Sequence, residues 1–168
     1  MAINRDYLGR VYQTPRPYEV TRGKIREFAD AIQDPNPVYT DTAAAKAAGH
    51  PDVVAPPTFP IIMAMDGAGQ AIIDPDLRLD FSMVVHGDQA FRYSRPLRAG
   101  DVVTTVTTIA DIKALGGNEM MTLESEISTV EGEHVVTSVM MFVVRGGAAA
   151  GGTGDDTAAA GEKQGSSA

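Results

Sequence analysis

The sequence predicts a single α+β domain in which an antiparallel sheet wraps around one central helix. Apolar residues recur with a helical period in the first half of the chain, and after Ser82 they form the runs of β-branched residues that strands favour. Helices followed by consecutive strands indicate the α+β class, and 168 residues suit one domain with a substantial core. We place that domain at residues 1–145.

The first predicted helix covers residues 21–33. Its apolar side chains fall at positions i, i+3, i+4 and i+7, which are occupied by Ile25, Phe28, Ala29 and Ile32. Thr21 can cap the start, and Pro35 ends the helix because the residue before a proline avoids helical angles. A later helix is predicted at residues 60–73, with a proline in its first turn.

Between these helices, residues 41–48 are rich in alanine, and Gly49 stands where such a helix would end. Small side chains allow a short helix to be buried nearly all round. We therefore predict that this alanine-rich helix is the one that fills the concave face of the sheet.

The predicted strands follow Ser82, and the clearest of them is residues 102–109, a run of only Val, Thr and Ile. Residues 116–118 and 131–133 have the composition of hairpin turns. In the run between them, Met121, Leu123 and Ile127 share one face. The last run is apolar on both faces, which predicts a central strand. One of its faces carries Val135, Val139, Met141 and Val143, and the other carries Val136, Met140, Phe142 and Val144.

Composition excludes several classes of function. The net charge of −8 disfavours nucleic-acid binding, and the lack of cysteine excludes disulfides and thiolate metal sites. The chain has no signal peptide and no apolar run of about 18 residues, so we expect a cytoplasmic protein. Residues 146–168 are mostly Gly, Ala and Ser, and we expect a disordered tail there.

One segment carries a specific motif. Asp34, Asn36, Pro37 and Asp41 match the Asp-x-Asn-Pro signature and the following Asp of the MaoC-like hydratase family, which this chain resembles; Tyr39 stands at the family's histidine position. Residues 56–59 occupy the place of a family His-Gly stretch, which puts Pro57 at the glycine. Residues 95–101 look like the Arg-Pro-Leu-x-x-Gly-Asp passage of related dehydratases.

This resemblance covers most of residues 5–145 and implies a hot-dog fold. It is strongest to the N-terminal-type, or A-type, subunits of actinobacterial (3R)-hydroxyacyl-carrier-protein dehydratases. Such subunits pair with a catalytic MaoC-like partner. The resemblance therefore implies a hot-dog partner chain, or a second copy of this chain, and an acyl thioester of acyl carrier protein or coenzyme A.

The chemistry that the resemblance implies needs more than this chain holds. Dehydration of a 3-hydroxyacyl thioester requires an acid–base pair and a donor to the thioester oxygen, which the family supplies as Asp/His and a glycine N–H. Asp34 is retained, but the phenol of Tyr39 is a poor base and Pro57 has no N–H. A shift of one residue would let Thr58 supply the donor. No residue is therefore assigned as catalytic.

None of the three histidines is a strong replacement. His50 follows the alanine-rich helix, whose C-terminus would stabilise it, and His86 precedes Gly87 and Asp88. His134 lies in an acidic hairpin, where we expect it to be exposed. A structural role is favoured for each, and none has metal-ligand spacing, so we predict no metal and no other cofactor.

The substrate-binding set that the resemblance implies is Asp34, Asn36, Tyr39 and Phe59. Arg92, Arg95 and Arg98, with Arg78 nearby, form the main basic cluster. A solvated sheet edge is the favoured interpretation of this cluster. The alternative is that Arg92 and Arg95 contact the phosphates of phosphopantetheine or coenzyme A.

Three functions remain open. The first is an acyl-chain-binding and stabilising subunit of a heteromeric (3R)-hydroxyacyl-thioester dehydratase or hydratase in fatty-acid metabolism. The second is a self-sufficient hot-dog hydratase or thioesterase that uses Asp34. The third is a non-catalytic acyl-binding module. The missing histidine favours the first function over the second.

Overall fold

A computed structural model describes residues 2–147 of the chain. Within these residues the helices are α1 (Arg22–Ala31), α2 (Thr42–Ala47) and α3 (Ile61–Ile72). The strands are β1 (Val11–Gln13), β2 (Tyr18–Glu19), β3 (Val84–Tyr93), β4 (Val102–Leu115), β5 (Asn118–Thr129) and β6 (His134–Val144). Short 3₁₀ turns lie at Arg5–Tyr7, Pro37–Tyr39, Pro75–Leu77 and Phe81–Met83.

All the strands join one antiparallel sheet in the order β1-β4-β5-β6-β3, and β2 also pairs with β4. Gly116 and Gly117 connect β4 to β5 with φ angles of 58° and 81°, as a two-residue type I′ turn requires. Strand β6 lies between β5 and β3, which confirms the central position predicted from its two apolar faces. Strand β3 is one edge of the sheet, and seven of its ten residues are exposed.

The helix buried in the concave face is α3, so the prediction that the alanine-rich helix fills this place is wrong. Helix α2 buries only Ala45, whereas α3 buries Met63, Ala64, Gly67, Ala68 and Ala71. The reason is area, because the methyl groups of a six-residue helix cover too little apolar surface for a sheet of this size. The predicted α+β hot-dog arrangement is confirmed, with α3 as its central helix.

Helix α3 lies unusually close to the sheet at Gly67. A Cβ atom at this position would stand 2.0 Å from Oγ1 of Thr107 on β4. Thr107 pairs with Ser125 on β5, and Ser125 pairs with Ser138 on β6, so a row of small hydroxyl residues crosses the sheet beneath the helix. The hydroxyls of Thr107 and Ser125 hydrogen-bond each other at 2.8 Å, which satisfies them away from water.

Local expectations at the helix ends are confirmed. The Thr21 side chain accepts a hydrogen bond from the Lys24 N–H at 3.2 Å and caps α1, which ends before Pro35. Helix α3 falls inside residues 60–73.

In residues 2–147, no helix is both long and apolar enough to cross a membrane. The predicted tail lies outside the described residues, apart from residues 146 and 147.

Replacing Gly67 by Ala is expected to lower the free energy of unfolding by about 1–3 kcal/mol, because the new methyl group must push α3 off Thr107. Gly69 is the matched control on the same helix, since a Cβ atom added there would meet nothing within 4 Å. Gly69→Ala should be neutral or stabilising by about 0.5–1 kcal/mol. Urea unfolding followed by circular dichroism measures the free energy of unfolding of both variants. Equal changes in the Gly67→Ala and Gly69→Ala variants would contradict the close contact between α3 and β4.

Candidate functional site

A cleft of about 340 Å³ lies where the loop before α2, the loop before α3 and the end of edge strand β3 meet. We call it the Tyr39 cleft. Its walls are mostly aliphatic, with two phenol rings among them. They are formed by Val38, Tyr39, Val54, Ala55, Pro57, Tyr93 and Pro96. The two positions at which the sequence departs from the family motif, Tyr39 and Pro57, therefore share one cleft.

The motif residues before Tyr39 shape the turn that carries it. Oδ1 of Asp34 accepts a hydrogen bond from the Asn36 N–H, and Oδ1 of Asn36 accepts one from the Val38 N–H, both at 3.2 Å. These bonds fix the start of the 3₁₀ turn Pro37–Tyr39. Asp34 is half-buried and Asn36 is exposed, so each has a turn-forming role that is visible in its contacts.

Tyr39 is a buried phenol and does not have the properties of a general base. Its exposed fraction is 7%, and burial raises the pKa of its hydroxyl, to which the nearby Asp34 carboxylate adds through its charge and hydrogen bonding. A phenol whose pKa lies above its ordinary value near 10 stays protonated at neutral pH. Tyr39 therefore cannot replace the histidine as a general base.

On the opposite wall, the Tyr93 hydroxyl donates a hydrogen bond to the carbonyl oxygen of Pro57 at 2.9 Å. Burial raises the pKa of Tyr93 as well, and Tyr39 adds to the effect. The Tyr93 proton thus lies next to an acceptor of the chain itself. Among residues 2–147, the walls of the cleft consequently present mostly aliphatic surface and no basic side chain.

The segment before α3 clarifies two predicted positions. Phe59 is fully buried and packs edge-on against Phe28, with ring centroids 5.3 Å apart, so it belongs to the core rather than to the cleft wall. The exposed Thr58 N–H has no acceptor within residues 2–147. It is the backbone donor next to Pro57 in the sequence.

The basic cluster is already paired with acidic residues. Arg95 forms hydrogen bonds to Asp101 at 2.7 and 3.1 Å and to Glu133 at 2.9 and 3.0 Å, and its side chain is only 17% exposed. Arg92 pairs with Glu124 at 2.9 Å on the sheet surface. These contacts favour the structural interpretation of the cluster over phosphate binding.

The side chains of His86 and His134 have local partners, and His50 contributes its backbone. The backbone N–H of His50 donates to the Ala45 carbonyl and closes the end of α2. His86 Nε2 lies 3.0 Å from the Asp88 carbonyl oxygen. His134 is half-buried, not exposed as predicted, because its ring nitrogens lie 2.7 Å from Ser94 Oγ and 2.9 Å from Thr137 Oγ1.

Sequence reasoning missed part of the cleft. Val54, Ala55, Tyr93 and Pro96 line it but were not predicted, because they come from segments far from the motif. The one available signal was that Pro96 belongs to the Arg-Pro-Leu passage and that Tyr93 lies two residues before it. In residues 2–147, no group of three or more His, Cys, Asp or Glu side chains could hold a metal ion.

Fold and cleft together define a hot-dog domain of the dehydratase type. A family model described as "FAS1-like, dehydratase domain region" matches residues 6–138. The chain belongs to this family. A relative named only "UPF0336 protein", from Thermobifida fusca, is 77% identical over 145 residues, which cover 86% of this chain and 95% of the relative.

Solved structures with the same fold include two named complexes from Mycobacterium tuberculosis. A C-terminally truncated HadBC (3R-hydroxyacyl-ACP dehydratase) complex aligns with a TM-score of 0.74 and 25% identity over 82% of this chain and 97% of that chain. The ChsH1-ChsH2 complex aligns with a TM-score of 0.63 and 28% identity over 79% and 87%. A MaoC-like dehydratase aligns with a TM-score of 0.75 and 29% identity over 83% of this chain and 42% of that chain.

If Arg95 forms a structural ion pair, Arg95→Gln should lower the free energy of unfolding by about 2–4 kcal/mol, because buried Asp101 would keep only its longer ion pair with Arg98. Arg92→Gln is the control, since its exposed pair with Glu124 is expected to contribute below about 1 kcal/mol. Chemical denaturation of both variants provides the test. A neutral Arg95→Gln variant would show that this side chain is available for other contacts.

Proposed function

We propose that this chain is the acyl-chain-binding, A-type subunit of a cytoplasmic heteromeric (3R)-hydroxyacyl-thioester dehydratase or hydratase in fatty-acid metabolism. The observation that carries the proposal is the Tyr39 cleft. It stands at the position of the family's catalytic motif, yet it is aliphatic and has no base. Such a cleft suits the hydrocarbon part of an acyl thioester better than the reacting thioester itself.

The chemistry of the missing groups supports a division of labour. Removing the C2 proton of a 3-hydroxyacyl thioester needs a base whose pKa lies near the operating pH, and the raised pKa of Tyr39 makes it unsuitable. Pro57 has no N–H to offer a developing oxyanion. A partner hot-dog subunit with an intact Asp/His pair and glycine donor would supply all three groups.

Edge strand β3 is the natural place for that partner. No other strand within residues 2–147 pairs with its outer backbone groups, and Val85 and Tyr93 on it are 44% and 38% exposed. An open edge of this length invites a further strand. Tyr93 also lines the cleft, so a partner on β3 would lie directly beside the proposed acyl site. The complexes named for HadBC and for ChsH1-ChsH2 support a heteromeric arrangement.

Alone, the chain should hydrate a crotonyl thioester at a small fraction of the rate of a complete enzyme. Co-expression with a MaoC-like chain that carries Asp-x-Asn-Pro-x-His should produce activity, which steady-state assays of the purified complex measure. An isolated chain with kcat near the enzyme median of about 10 s⁻¹ would contradict the proposal.

Within that complex, replacing the partner's motif histidine should abolish turnover, whereas Asp34→Asn in this chain should reduce kcat far less. Asp34 is expected to shape the turn of the motif and not to transfer the proton. Asp30→Asn on the exposed surface of α1 is the control for unspecific loss of charge. Equal losses of kcat in the histidine and Asp34 variants would show that Asp34 is catalytic and would contradict the division of labour.

Narrowing the cleft should change chain-length preference. Ala55→Leu is expected to reduce kcat/KM of the complex at least about tenfold for a long acyl thioester and to leave crotonyl thioester nearly unaffected, because only the long chain needs the cleft. Ala47→Leu, on the exposed side of α2, should change neither value. A uniform loss for both substrates would argue against an acyl chain in the Tyr39 cleft.

A further inference from the structure

A second cavity, of about 720 Å³, lies on the other side of the molecule. We call it the Arg16 cavity. Its walls are the β1–β2 loop, the middle of α3 and one residue of β4, Thr105. It shares no wall residue with the Tyr39 cleft. The two lie toward opposite edges of the sheet, because β1 and β2 pair with β4 while β3 pairs with β6. Its volume falls in the usual range for small-molecule sites.

The cavity forms where the pairing of β4 with β1 and β2 is interrupted. Between these two short strands, Thr14 makes the hydrogen bonds to the edge of β4. Its N–H donates to the Thr105 carbonyl at 3.0 Å, and its hydroxyl accepts from the Thr105 N–H at 3.2 Å. The chain after Thr14 can therefore leave the sheet without exposing an unsatisfied amide. The space above Thr105 opens between this loop and α3.

The walls are held in place before any ligand arrives. Pro15 and Pro17 fix the backbone on both sides of Arg16, since the proline ring locks φ. From α3, the Gln70 side chain donates to the Gln13 carbonyl at 3.3 Å and ties the helix to the start of the loop. A rigid wall of this kind loses little conformational entropy when a ligand binds.

The polar groups around the cavity are of three kinds. The Arg16 guanidinium on the loop and the Asp66 carboxylate on α3 have no ion-pair or hydrogen-bond partner within residues 2–147, and both are exposed. Tyr18 is half-buried between them and the core. Burial raises the pKa of its phenol, and the charges of Lys24, Glu27 and Asp66 act on it as well. Tyr18 is therefore a neutral donor at physiological pH.

Beneath these groups the cavity is apolar. Met63 is 1% exposed and belongs to the main core cluster, so its side chain forms a fixed floor. The two prolines of the loop add further apolar surface. An apolar floor below one guanidinium matches an amphipathic anion, whose body would lie on Met63 while its head reaches Arg16.

The opposite charge of Asp66 limits the kind of head group. A phosphate monoester carries close to two negative charges at neutral pH, whereas a carboxylate carries one. Because Asp66 lines the same cavity as Arg16, it repels the more highly charged head more strongly. We propose that the Arg16 cavity is a second ligand site, for a small organic carboxylate with an apolar body.

Binding of octanoate to the full-length chain, followed by amide chemical shifts in NMR, tests this site. Octanoate should shift the backbone amides of residues 13, 14, 16, 18, 63–70 and 105. Octan-1-ol, which lacks the carboxylate, should bind these residues roughly ten- to a hundredfold more weakly. Octyl phosphate should also bind more weakly than octanoate. Amide shifts at residues 38, 39, 54 and 55 report the Tyr39 cleft separately, so the two sites are distinguished in one experiment.

Variants decide whether the proposed groups are responsible. Arg16→Gln should weaken octanoate binding at residues 13–18 to the level of octan-1-ol, while Arg26→Gln, an exposed arginine on α1, should leave it unchanged. Asp66→Asn should strengthen the binding of octyl phosphate more than the binding of octanoate. The proposal is overturned if octanoate causes no shifts around Arg16 at millimolar concentration, or if Arg16→Gln binds octanoate as the unaltered chain does.

Discussion

The close contact between Gly67 of α3 and Thr107 of β4 is the constraint on which the rest of the structure depends. A helix can sit this deep in a curved sheet only where both surfaces lack bulk. The helix provides Gly67 and three alanines, and the sheet provides a row of hydroxyl residues paired across three strands. Larger core residues then fill the space on both sides of the row, in two separate clusters.

The depth of α3 also determines where ligand sites can form. The helix occupies the centre of the concave face, so open space remains beside it rather than beneath it. The Tyr39 cleft lies before its N-terminal end, toward edge strand β3, and the Arg16 cavity lies along its middle, toward β4. The first cleft joins the residues that depart from the family motif. The second is built by a proline-flanked loop that the motif does not include.

The sequence predicted much of this fold because local rules and the hydrophobic period agree. The cap at Thr21, the Gly116–Gly117 turn and the central position of β6 all follow from short-range patterns. The choice of central helix failed, since alanine content was treated as evidence of burial. Burial of α3 depends instead on one glycine that meets one threonine 40 residues later in the chain, and no local pattern reveals such a pair.

The site was predictable in its chemistry and less so in its walls. The loss of a base at Tyr39 and of an N–H at Pro57 can be read from residue types alone. Three features depend on tertiary contacts. Tyr93 hydrogen-bonds to Pro57, Phe59 packs into the core, and Arg95 pairs with two carboxylates. Each involves residues more than five positions apart, and sequence spacing does not determine such contacts in a loop.

Photo-crosslinking tests most directly whether this chain holds the acyl chain while another hot-dog subunit performs the chemistry. An acyl thioester with a diazirine near the end of its hydrocarbon chain is bound to the heteromeric complex, irradiated, and mapped by mass spectrometry. We expect crosslinks on this chain at residues 38–39 and 54–57. Crosslinks confined to the partner subunit, with none in the Tyr39 cleft, would contradict the proposed division of labour.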